Sequence, residues 1–208
     1  MEDRKLTEKE SLEVITSMIA QTKQRYIGDG NILLMWGYVI VGVTALIWTL
    51  LVLTHNTCWN WLWFLIWIIG GIATPIMAMK KQMNKGVKNY SDSLTSKIWS
   101  FVGIIAIAST FICLGFLLIK GVDAWSMMFV LALVIVPFAE IAQGIVLNEK
   151  SLVIGGSVGI LFGLFTLGCI AGHITLFATW FMPLFMLAFI AMMIIPGHIL
   201  NYKARKAK

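Results

Sequence analysis

Charge is scarce in this chain. Of its 208 residues only 12% are charged, against 59% hydrophobic, and the mean hydropathy is +0.87. A water-soluble domain of this length cannot cover so much apolar surface, so the solvent is a bilayer. Cysteine is scarce too. Three residues make no disulfide framework, and Cys58 and Cys169, which fall toward one face, have no spacing that argues for a bridge. The three histidines, His55, His173 and His198, have no carboxylate or thiol at ligand spacing, so no metal site is expected. There is no Walker loop, no dinucleotide fingerprint and no carboxylate pair within an apolar run. Neither a cofactor nor a catalytic site is expected.

What the chain does have is long apolar runs. They lie near 31–53, 58–79, 98–119, 125–147, 151–171 and 174–200. Each holds about 20 residues or more, enough to span at ~1.5 Å of rise per residue. The expected fold is all-α, a polytopic membrane helix bundle. Six transmembrane helices over 31–200 follow a cytosolic amphipathic helix and basic segment over 1–30, and a basic cytosolic tail covers 201–208. The first run is too long for a cleaved signal and follows mixed acids and bases, so it is expected to remain as the first span.

Every Lys and Arg except Lys120 falls on one side of this six-span arrangement, in 1–30, in the loop 80–97, at Lys150 or in the tail. The positive-inside rule then makes both termini cytoplasmic. The basic balance is a topology signal, and no nucleic-acid partner is expected. Trp48, Trp59, Trp61, Trp63, Trp125 and Trp180 fall near the outer interface and Trp36 and Trp99 near the inner one, as an aromatic belt.

In the first 30 residues Thr7 and Glu10 form a capping box, and Leu12, Ile15, Ile19 and Tyr26 recur at helical spacing up to Gly28. Such a helix either lies on the inner leaflet or docks a cytosolic protein partner. A three-plus-three division would permit an inverted repeat, but no matching residues link the halves.

The fifth run carries Gly155, Gly159 and Gly163, a small-residue stripe that lets another helix approach closely. A neighbour in the same bundle is the expected partner, with a homo-oligomer as the alternative. "GGSVG" around Ser157 matches a serine-nucleophile pattern, and with His198 it invites comparison with rhomboid-type intramembrane proteases. That reading is set aside, because an early His and Asn pair and a large outer loop are missing.

Glu140 is the one acidic residue well inside a run, about 10 Å from its cytoplasmic end by helical rise. A carboxylate near a helix centre costs on the order of 2.5–3.5 kcal/mol to insert, so such residues face the bundle interior. Gln143 and Gly144 follow on its face and Pro137 precedes. Three readings stay open. Glu140 is a protonated packed contact bonded to Gln143 or Ser157, or a proton-coupling or cation site of a transporter with Gln143 beside it, or a shallower group near headgroups.

Four segments in order, "LTEKESLEVITSMIAQTKQ", "WGY" (36–38), "GIVLNEKSLVIGG" and "IIPGHILNYKARK", resemble an uncharacterised family of bacterial six-helix integral membrane proteins. The resemblance implies the same fold and a place in the bacterial cytoplasmic (inner) membrane. It brings no activity and no site residues. The expected function is non-catalytic: a multi-pass regulatory or scaffold protein with a cytosolic partner surface. The alternative is a small-solute or ion transporter using Glu140.

Overall fold

The computed structural model describes residues 30–85 and 90–206, together with Thr7, Leu12, Glu13 and Thr16. The capping box and most of the amphipathic helix expected over 1–30 lie outside the described residues. Of that segment, Leu12, Glu13 and Thr16 are helical, and the Thr16 hydroxyl donates to the Leu12 carbonyl at 2.7 Å.

Among the described residues all regular structure is helical. Helix α1 covers Asn31–Thr54, and a 3-10 segment, Thr57–Trp63, leads into α2, Phe64–Lys85. Helix α3, Tyr90–Gly115, ends in a π-helical turn, Phe116–Lys120. Helices α4, Ser126–Leu147, and α5, Lys150–Ala171, form a hairpin. The last rod is α6, Ala178–Phe189, a π turn, Ile190–Ile194, and α7, Ile195–Lys206. Six helical stretches are long and apolar enough to cross a bilayer: Asn31–Thr54, Thr57–Lys80, Ser91–Lys120, Ser126–Leu147, Lys150–Ala171 and Ala178–Lys206. They fit a multi-pass membrane protein.

The helices run further into the 80–97 segment than hydropathy indicates. Helix α2 continues to Lys85 and α3 begins at Tyr90. A helix leaving the apolar layer needs no hydrophobic face, and Lys, Gln and Met sustain it well. At the other ends the chain stops abruptly. His55, Asn148 and His173 adopt left-handed φ values of 51°, 53° and 55° where α1, α4 and α5 finish. The Asn148 cap lets the Glu149 amide donate back to the Gly144 carbonyl at 2.8 Å, which closes the α4–α5 turn.

The hairpin packs through its glycines. A Cβ at Gly159 would meet Met192 Sδ at 2.7 Å and Pro137 Cβ at 2.8 Å, and one at Gly155 would meet Pro196 Cγ at 2.7 Å. At Gly163 it would strike the Leu133 carbonyl. That carbonyl is the one whose helical partner would have been the amide of Pro137, which proline lacks. Proline also shapes the last rod. Pro196 offers no amide, and the turn before it widens so that the Ile195 amide bonds the Ile190 carbonyl. The core between these helices is aromatic: Phe129, Phe181, Phe185 and Phe189 follow one another with neighbouring centroids 4.8–6.1 Å apart.

Candidate functional site

Helix α2 packs on α1 and α3 packs on α4, but α2 and α3 share no packed seam. Between these two pairs lies a cavity of about 1570 Å³ that α6 closes from behind. Gly30 and His55, which flank the two ends of α1, both border it, so it extends along the whole of that helix. Its polarity changes along its length. At one end stand His55, Asn60, Asp123, Ser126 and His173; the middle is walled by Ile66, Trp67, Phe129, Ala132 and Phe185. Toward the other end come Thr74, Thr95, Trp36, Trp99 and Gln143.

Two indoles hold the walls. Trp36 Nε1 on α1 donates to Thr74 Oγ1 on α2 at 3.1 Å, and Trp99 Nε1 on α3 donates to Gln143 Oε1 on α4 at 2.7 Å. Gly70 makes the first contact feasible, because any Cβ there would collide with the Trp36 ring. These two tryptophans, expected at the inner interface, thus serve as helix-to-helix clasps inside the bundle. Nothing in the sequence marks Gly70 beyond a Gly doublet in an otherwise bulky run.

Glu140 sits one layer behind the cavity wall. On its own helix Val136 and Gln143, four residues before it and three after, line the cavity, while Pro137 and Gly144 face α5. Glu140 is fully buried, and neither carboxyl oxygen has a hydrogen-bond partner among the described residues. The partners expected for it are used elsewhere. The Gln143 oxygen accepts from Trp99, and Ser157 is exposed on the far side of α5, donating to its own Val153 carbonyl at 2.7 Å. That placement was readable: Ser157 is two residues from both Gly155 and Gly159, hence on the opposite helix face.

His198, the other half of the protease comparison, has its Nε2 2.7 Å from the Tyr38 hydroxyl and is not joined to Ser157. His55 and His173 both border the polar end of the cavity, without any group of three metal-binding side chains among the described residues. Cys58, Cys113 and Cys169 are free thiols. At the opposite end of the bundle Glu149 pairs with Lys203, and Asn201 accepts from the Gly30 amide and donates to Asn31, each at 2.8 Å. These contacts tie the α4–α5 turn and the start of α1 to α7.

The arrangement is a long aromatic chamber with polar ends and an unpaired carboxyl group behind one wall. Its walls are two helix pairs with no packed seam between α2 and α3. Comparison with protein-family models, curated proteins and solved structures finds no match for the chain.

Proposed function

We propose that this chain is a non-catalytic transporter of the bacterial cytoplasmic membrane, with both termini in the cytoplasm. A ligand occupies the chamber between α1, α2, α3, α4 and α6, and Glu140 couples a proton or cation to its movement. One observation carries the reading: a bilayer-length cavity runs beside a fully buried carboxyl group that has no hydrogen-bond partner among the described residues. Burying such a group unpaired lowers stability, so a structural purpose for it is hard to find. The regulatory or scaffold reading draws on the N-terminal helix and the 80–97 segment. The described part of the latter only lengthens α2 and α3, so the chamber is the better support for function.

The test uses a strain lacking the chain. Its growth or permeability defect should be restored by wild type and by Leu161→Ala, a change on the lipid-exposed side of α5. Glu140→Gln should insert and melt like wild type yet fail to restore. Full restoration by Glu140→Gln would remove the coupling role and return the regulatory reading to first place.

A further inference from the structure

We infer that the chamber receives a zwitterionic membrane phospholipid, which enters sideways between α2 and α3. This rests on the chamber being a ligand site and names its ligand. Size comes first. Sites for drug-sized molecules enclose roughly 300–1,000 Å³, and this one encloses about 1570 Å³. Length leaves room for extended acyl chains: residues at both ends of α1 border the chamber, and the 24 residues of that helix rise ~36 Å.

Chemistry narrows the ligand further. A polar solute would have to shed its water against Ile66, Trp67, Phe129 and Phe185, where nothing replaces the lost hydrogen bonds. An acyl chain loses nothing there. The side entrance faces lipid, since Ile68 and Ile72 on α2 and Phe101 and Ile104 on α3 project outward, all more than half exposed. The headgroup belongs at the His173 end. Among the described residues Asp123 is the only Asp, Glu, Lys or Arg bordering the chamber; its Oδ1 accepts from the Trp125 amide at 3.0 Å, and Asn60, Ser126 and two histidines border the same end. A carboxylate among amide, hydroxyl and imidazole groups suits an ammonium with a phosphate beside it better than a purely anionic head.

The experiment uses the full chain, purified from membranes containing phosphatidylethanolamine and phosphatidylglycerol. Native mass spectrometry should find bound phospholipid enriched in phosphatidylethanolamine over the bulk ratio, with the enrichment lost in Asp123→Asn. Ala132→Trp fills the chamber and should abolish retention. Gly103→Trp does so from the α3 side, where a new Cβ meets nothing within 4 Å, and covers the case in which the first variant fails to fold. In a chain whose three cysteines are replaced by Ala, Ala132→Cys should react with a lipophilic maleimide and resist a charged methanethiosulfonate. Reaction with the charged reagent and no retained lipid would overturn the phospholipid while leaving an aqueous transport path intact. Retention at the bulk headgroup ratio would overturn the zwitterionic assignment. No reaction with either reagent and no lipid would overturn the ligand site itself.

Discussion

Glu140 and Trp99 set the residue-scale behaviour of the molecule, and they act in opposite directions. A carboxyl group with no partner weakens the fold, because its desolvation is not repaid by a bond. Glu140→Leu is therefore expected to raise the melting temperature, by the equivalent of about 1 kcal/mol or more. The expectation reverses if Gln143 or Ser157 were its partner, since either would be left unpaired. Both have other partners in the structure. A fall in melting temperature for Glu140→Leu would show that the carboxyl group is a structural contact after all. Trp99 does the converse. Trp99→Phe keeps the ring bulk and removes the indole N–H that reaches Gln143. Thermal unfolding should register a loss of about 1 kcal/mol, and Gln143→Ala added to it should cost little more, because the two share one bond.

At the scale of the element, α5 is the axle of the bundle. Its glycines touch α4 on one side and the final rod on the other, so a side chain at Gly159 has to displace Pro137 and Met192 together. Overpacking of this kind costs about 1–3 kcal/mol and sometimes more. Gly159→Leu should reach the upper end of that range, read as a drop in melting temperature or in folded yield. Leu161→Ala, on the exposed face of the same helix, should stay within about 0.5 kcal/mol. Equal stability of the two variants would remove the packing role of the stripe. The π turn at Ile190–Ile194 belongs to the same seam, since its Ala191 carbonyl would lie 3.1 Å from a Cβ at Gly155. Proline and glycine at 196 and 155 therefore form one device: the widened turn places backbone where only glycine leaves room.

On the scale of the whole molecule, charge is expected to decide orientation. Reporter fusions after Lys208 and within 80–97 should read cytoplasmic, and those near His55 or Gly121 should read outside. The reverse pattern would place the His173 end of the chamber in the cytoplasm and exchange the roles of its two mouths. The helices divide into a tight unit, α4 with α5 and the last rod, and a loose one in which α2 leans mainly on α1 and α3 on α4. The chamber follows from that division. These two helices turn large apolar side chains outward, and the space between their inner sides is left open.

The six helices long and apolar enough to span a bilayer, the close approach on α5 and the burial of Glu140 were legible in the sequence, because each depends on local facts. Hydropathy over a window, small residues four apart and a charge inside an apolar run all act whatever the rest of the chain does. Rotation and tilt are different. A helix turns about 100° per residue, so whether Gln143 meets Glu140 or Trp99 is decided by how α3 and α4 are set against each other, 44 residues apart in the chain. The same holds for Trp36 over Gly70. Apolar helices in lipid have no hydrophobic drive toward one another, so composition alone cannot say which pairs close and which stay apart. That choice rests on small residues, indole hydrogen bonds and prolines meeting in space. The tertiary structure made it, and the chamber beside Glu140 is its consequence.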